Sequence, residues 1–423
     1  MARHLPVRPN SAGFVVMAGL AAFSCYFCMY AFRKPVAAAH FEGFEPVFGM
    51  DFKVALIVFQ IIGYALSKWV GVRVIAERST RRRAASILAL MSLSFAGLLG
   101  FAVLPAPFNL LMILASSLPL GMIWGFVFGW LEGRRTSEIL VAILSASFIL
   151  ASGAVKSAGA LLLARGVSET WMPAATAGLF ALPLIVSVLV LAHIPPPTND
   201  DRAERRERFA MGRGERHGFL RLAGFPLALL SLSYVGLTVT RDLRDSFAAE
   251  IWAESRHGGE PALFTLSEAP IALFILGALA LFSAIRDNAR AFRVAMAAIL
   301  AGCLLLIAST LAFAFAGLDV LAWMIASGCG LFLAYVAIGT VVIERLVALG
   351  SGAANAGFAV YLIDAMGYTA SLGLLVSREV FFPDLNWSGL VTQLALVSGT
   401  LGALSALALS RRASQLTRFP VSC

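Results

Sequence analysis

The amino-acid sequence predicts an all-α integral membrane protein whose twelve transmembrane helices form two six-helix, pseudo-symmetric halves. Composition is the first reason. Of 423 residues, 59% are hydrophobic and 13% charged, whereas a soluble domain carries roughly 45–50% apolar and 25% charged residues. The second is that apolar runs of about 20 residues, enough to cross roughly 30 Å of hydrocarbon, recur twelve times. The third is a polar interruption at 194–222, with six runs on either side. Length alone would suggest about three soluble domains. A mean hydropathy of +0.84 overrides that prior and also excludes intrinsic disorder.

The runs fall at 13–34, 52–72, 84–104, 108–130, 138–164, 172–193, 223–247, 262–285, 292–316, 320–343, 352–376 and 388–410. The first is too long for a secretory signal and lacks a small-residue cleavage site. The organisation that follows is an N-terminal half at 1–193, a linker at 194–222, a C-terminal half at 223–410 and a tail at 411–423. The linker opens on Pro195, Pro196 and Pro197 and continues in dense mixed charge, so it reads as solvated, with a short surface helix. Four of the five cysteines lie in apolar runs and read as small buried hydrophobes. Cys25-x-x-Cys28 has redox spacing, but its apolar helical setting reads as packing.

The net charge of +9 raises the question of nucleic acid, and its distribution answers it. Of 33 lysines and arginines, 23 fall on one set of loops, including Arg81, Arg82, Arg83, Arg134, Arg135 and seven arginines between 202 and 221. The opposite loops hold only Lys53, Arg165, Arg256 and Arg378. This asymmetry places both termini and the linker in the cytoplasm, with the chain multi-pass in a bacterial inner membrane. The basic charge is topological, so lipid is expected as a partner and nucleic acid is not.

Six basic residues remain within or at the ends of spans: Arg33, Lys34, Lys68, Lys156, Arg241 and Arg244. Charge in hydrocarbon is costly and normally faces a cavity or a partner. If the halves are repeats, polar landmarks recur at one offset. Arg33 matches Arg241 and Lys156 matches Asp364 at 208 residues, and Arg135 matches Arg345 at 210. Tyr26, Tyr30 and Arg33 share one face of span 1, and Thr238, Arg241 and Asp245 repeat the spacing on span 7. Span 11 carries Tyr361, Asp364 and Tyr368, span 5 Ser152 and Lys156, span 2 Tyr64 and Lys68, and span 8 Glu268.

Blander readings stand beside each of these. Arg33 and Lys34 come about 20 residues into the span, a place from which they can snorkel to headgroups. Asp242 and Asp245 can simply neutralise Arg241 and Arg244, and the tyrosines can be packing or interface aromatics. Lys156 is deep in a 27-residue apolar stretch and needs a role or a partner, for which Asp364 is the expected counter-charge. Six basic residues against Asp242, Asp245, Glu268 and Asp364 leave about two positive charges, which suits a dianion.

Two motifs carry a resemblance. Tyr30-Ala-Phe-Arg33-Lys34 and Gly63-Tyr64-Ala-Leu-Ser67-Lys68-Trp69 resemble spans 1 and 2 of the organophosphate–phosphate antiporters of the major facilitator superfamily, which include the glycerol-3-phosphate and hexose-phosphate transporters. The resemblance implies the major facilitator fold, substrate phosphate on Arg33, assistance from Lys68 and a second arginine from span 7, Arg241 or Arg244. The loop after span 2 lacks that family's tidy basic signature, and Lys156 stands near where the family carries His. The stretch Gly129-Trp-Leu-Glu132-Gly-Arg134-Arg135-Thr-Ser-Glu138 resembles instead a bacterial branch without an assigned substrate.

The expectation is a secondary transporter working by alternating access, moving a small organic anion such as a phosphorylated metabolite by antiport or ion coupling. Arg33, Lys34, Lys68, Arg241, Arg244, Tyr26 and Tyr30 would bind substrate, and Lys156, Asp364, Glu268 and Asp245 would form coupling charges. Alternatives are a membrane sensor of such an anion and a proton-coupled exporter of an unrelated substrate. No ATP-binding loop, metal-ligand spacing or nucleophile elbow is present, so no enzyme, cofactor or metal is expected, and the protein is expected to be a monomer.

Overall fold

A computed structural model describes residues 9–77, 82–198, 201, 213–255, 260–285, 287–342 and 356–416. The regular structure of the described residues is helical, apart from one isolated bridge between Val47 and Met50. In chain order the helices are α1 (Ala12–Tyr30), α2 (Phe52–Glu77), α3 (Arg83–Val103), α4 (Phe108–Ser117), α5 (Ile123–Leu131), α6 (Ser137–Ala164) and α7 (Met172–His193). They continue with α8 (Arg213–Ser246), α9 (Ala248–Glu254), α10 (Leu263–Ser283), α11 (Asn288–Ala316), α12 (Val320–Val336), α13 (Ala356–Phe381) and α14 (Trp387–Leu416).

Local chemistry sets several of their ends. Ser11 caps α1 by accepting from the Phe14 amide at 3.2 Å, and Asp287 and Asp319 do the same for α11 and α12. Gly317 ends α11 in the left-handed conformation at φ +68°, which costs glycine nothing. Pro119 interrupts the fourth expected span, splitting it into α4, a 3-10 turn at Leu120–Met122 and α5. After α12 the chain continues through a π-helical turn, Ala337–Val342.

Ten helical stretches among the described residues are long and apolar enough to cross a membrane, matching the expected spans 1–6, 8–10 and 12. Many of their outward side chains are large and apolar; Leu182, Leu273 and Phe315 are examples. Such a surface suits lipid and would be a liability in water. The expected spans 7 and 11 are present as α8 and α13 but are not among the ten. Their ionic groups gather toward one end or stand singly, with Arg241, Asp242, Arg244 and Asp245 at the end of α8 and Asp364, Arg378 and Glu379 on α13.

The chain gathers into two compact units. The first holds residues 1–205, 245–276 and 372–384, and the second 206–244, 277–371 and 385–423. In the first, α1 packs on α6 and α7, and α4 packs on α2 and α3. In the second, α11 packs on α12 and α14. Glycine decides how closely some of these helices approach. A Cβ on Gly330 would lie 2.5 Å from the Gly302 carbonyl oxygen, and one on Gly302 would lie 2.6 Å from that of Gly330, so α11 and α12 touch backbone to backbone.

Two expectations are corrected here. The expected linker is helical from Arg213 onward, since α8 begins there. Lys53, expected in a loop that sets topology, lies instead in the first turn of α2 and is buried. The expectations for Arg3, Arg8, Arg78, Arg81, Arg256, Arg286, Arg345, Arg418 and the arginines between 202 and 208 lie outside the described residues.

Candidate functional site

In the first unit, α1 ends at Tyr30 and a 3-10 turn begins at Pro35, leaving Arg33 and Lys34 in the bend between them. Both are buried in protein, at 4% and 6% exposure, which removes the headgroup-snorkelling reading. The Arg33 guanidinium lies 3.8 Å from the centre of the Tyr64 ring, and the Lys68 amine lies 5.4 Å from the same ring. Tyr64 and Lys68 are one turn apart on α2 and therefore share a face. The Arg33 carbonyl accepts a 2.8 Å hydrogen bond from Gln60, which stands one turn before Tyr64. An electron-rich ring in a desolvated place is a favourable seat for cations. Tyr26 and Tyr30 pack edge to face on α1, with ring centres 5.4 Å apart.

The coupling charges are arranged differently from the expectation. The Lys156 amine bonds the Asp245 carboxylate at 2.6 Å and the Asp245 carbonyl at 3.1 Å. Lys34 pairs with the other oxygen of that carboxylate, and the Ser152 hydroxyl donates to it as well. The partner of Lys156 is thus Asp245 on α8. Asp364, its expected counter-charge, accepts from tyrosine hydroxyls in the second unit. The offset of 208 aligned equivalent positions in a repeat, and equivalence does not bring two side chains into contact. Gly153, one residue after Ser152, lies so near α10 that an added Cβ would meet the Phe264 carbonyl at 2.3 Å. Glu268 is buried on α10 beside this contact.

In the second unit the Arg241 guanidinium bonds Asp242 at 2.9 Å through Nη2 and at 3.3 Å through Nε. Nη2 also donates to the Tyr368 hydroxyl at 3.2 Å. The same guanidinium lies 4.5 Å from the Tyr335 ring centre and 5.8 Å from that of Tyr368. Tyr234 and Tyr335 are stacked with centres 4.6 Å apart, their hydroxyls 2.6 Å from each other and 3.3 and 3.4 Å from one Asp364 oxygen. Arg244 is placed otherwise, donating to the Met324 carbonyl at 2.7 Å. Arg241 is therefore the span-7 arginine in an aromatic and acidic setting, and Arg244 holds a neighbouring helix.

Two further charge clusters lie in the first unit. Lys53 pairs with Glu250 on α9 and donates to the Ala37 carbonyl at 3.2 Å, while His40 stands 3.4 Å from the same carboxylate. Burial works to raise the Glu250 carboxyl, yet Lys53 and His40 hold it below its ordinary value. In the other cluster Asp201 accepts from Asn10 at 2.8 Å, from the Arg135 amide at 3.0 Å and from Thr198. Burial pushes its carboxyl up, and these hydrogen bonds outweigh it and hold it at about 2. Arg134 is buried against Phe14 and donates to the Pro195 carbonyl at 2.7 Å, so it ties chain segments together.

The sequence reading missed Tyr335, Lys53 and Glu250 as members of clusters. A compositional signal was available for the first. The chain has 31 phenylalanines but only seven tyrosines, and four of the six whose side chains are described, Tyr64, Tyr234, Tyr335 and Tyr368, fall within the Arg33 and Arg241 clusters. A hydroxyl on a ring in hydrocarbon needs a hydrogen-bonding reason, and scarcity marks where such reasons occur.

Solved structures with a similar overall fold include transporters. A POT family transporter in complex with 5-aminolevulinic acid is 14% identical, covers 99% of both chains and has a TM-score of 0.60. A D-xylose–proton symporter is 13% identical over 93% of this chain and 95% of its own, with a TM-score of 0.61. A variant of the nucleoside transporter NupG is 15% identical over 96% of this chain and 100% of its own, with a TM-score of 0.60. The all-helical membrane fold is thus of the major facilitator type. No curated protein matches the chain, and these structures do not show membership of the organophosphate antiporter family. The family model that matches, over residues 35–411, is a family of unknown function, DUF5690. The chain belongs to that family.

Proposed function

We propose that this membrane protein is a secondary transporter that works by alternating access and moves a small organic anion, of which a phosphorylated metabolite is the leading candidate. The observation that carries the reading is the seating of Arg33 and Lys68 on one buried tyrosine ring within the membrane-spanning region. Two cations at one ring offer an anion charge and hydrogen-bond donors together. Arg241, on its own tyrosines, is the second proposed anion contact. Lys34, Tyr26, Tyr30 and Arg244 support these two, while Lys156, Asp245, Glu268 and Asp364 supply charges for coupling to an ion or a counter-substrate.

The structural relatives support the transporter class, since their names describe carriers of peptides, xylose and nucleosides rather than enzymes. One was solved with sulfate bound. In this reading α8 and α13 complete a set of twelve spans, with halves at 1–193 and 223–410. The termini and the linker face the cytoplasm of a bacterial inner membrane, and the protein acts as a monomer.

The test is uptake of labelled phosphate esters by proteoliposomes carrying the purified protein. We expect saturable accumulation in wild type and a loss on the order of 100-fold in Arg33→Gln, the scale of removing a buried charge contact. Uptake by Arg33→Gln at the wild-type rate would sink the assignment. Binding without accumulation would instead favour a sensor.

A further inference from the structure

Arg241 and Asp242 are consecutive on α8, so their Cα–Cβ directions diverge by about 100° around the helix. Neighbours at that spacing do not normally face each other. Their pairing here at 2.9 and 3.3 Å is therefore not a by-product of helix geometry. A third residue explains it. The other oxygen of Asp242 lies 3.1 Å from the Ser371 hydroxyl on α13, a donor that it shares with the Gly367 carbonyl at the same distance, and Ser371 is fully buried. That reach depends on close helices: a Cβ on Gly367, one turn before Ser371, would lie 2.7 Å from Thr238 on α8.

The consequence for the guanidinium is specific. Its Nε and Nη2 edge is held by Asp242, and Nη2 also donates to Tyr368. The bonds of Arg241 among the described residues leave Nη1 unused. A planar fork fixed along one edge presents its opposite side in a single orientation, which a freely rotating arginine would not do.

We infer that Asp242, anchored by Ser371, is a positioning residue that fixes the Arg241 guanidinium so that its Nη1 side receives an oxygen of an anionic substrate. This rests on the reading of Arg241 as an anion contact given above. It adds a preference: a compact tetrahedral oxyanion, with several equivalent oxygens, suits one fixed fork better than a planar amide or a sugar hydroxyl.

The experiment is titration of the purified full-length protein in nanodiscs with inorganic phosphate, followed by calorimetry and by thermal stabilisation. Asp242→Asn should bind phosphate about tenfold more weakly than wild type, the scale of one charge-assisted hydrogen bond. Asp242→Glu should restore part of the loss. The decisive readout is a cycle with Arg241→Lys, which keeps the charge but removes the fork. In that background Asp242→Asn should cause little further loss, because there is no guanidinium to orient. An equal loss in both backgrounds, or unchanged binding by Asp242→Asn in the wild-type background, overturns the inference. If Asp242→Asn fails to fold, Ser371→Ala takes its place in the same cycle, with a smaller expected loss of about threefold and the same overturning outcome. Failure of wild type to bind phosphate at all overturns the anion reading itself, and this assignment with it, so the two failures are distinct.

Discussion

Asp245 is shared by two lysines and a serine, and that sharing sets what its removal does. Asp245→Asn takes away the carboxylate that Lys156 bonds at 2.6 Å in a buried place. Breaking a buried pair from one side costs about 3–5 kcal/mol, because a charge is left behind. Thermal unfolding of the purified variant should show the loss, and adding Lys156→Gln should recover part of it. If the two losses simply add, the residues are not coupled. The sequence made Lys156 legible as a residue needing a partner, since a lysine deep in an apolar run has few ways to be solvated. It could not say which acid, because Asp242, Asp245, Glu268 and Asp364 all lie within spans and only three-dimensional packing chooses among them. The arginines of span 7 were sorted by the same means, one to tyrosines and one to a main-chain carbonyl.

Helices differ in how much of their placement is written in hydropathy. Ten spans agree with the apolar runs because the lipid-facing side demands apolar residues whatever the inner side does. The start of α8 was missed because its first turns are as charged as a linker, and charge pattern alone does not separate a surface helix from a continuing one. The α11–α12 contact was invisible for another reason: it depends on two glycines, 28 positions apart, meeting face to face. Gly330→Val would drive a side chain into the Gly302 carbonyl and the Leu306 amide, 2.5 and 2.6 Å from the new Cβ. Overpacking of that kind costs about 1–3 kcal/mol, so the melting temperature should fall. Gly373→Ala on α13, where nothing lies within 4 Å, should leave it unchanged or raised. Equal melting points for the two variants would mean that the helices separate without penalty.

For the whole molecule, acid is a probe of how distant parts of the sequence are tied. Asp201 binds Asn10, Thr198 and the Arg135 amide, and its carboxyl sits at about 2 against an ordinary 3.8. A carboxyl lowered by folding contributes stability above its ordinary value, and that contribution is lost as pH falls through the folded one. Asp201→Asn should therefore lower the melting temperature by about 2 °C near neutral pH, and the difference should shrink when both proteins are compared at about pH 3. A difference that stays constant would show that the carboxylate charge is not what holds these segments. The residues of this tie carry no hydropathy pattern, so fold class was readable from the sequence and the tie was not. The charges of α8 bear finally on biogenesis. Four ionic groups lie within five residues, Arg241 to Asp245, at the end of α8, and an ionic group left unpaired in hydrocarbon is costly. Lys34 and Lys156, which receive Asp245, lie on earlier parts of the chain and are synthesised first. The order of synthesis thus supplies a waiting counter-charge, and a circular permutant that places α8 ahead of α1 would have to be inserted without it.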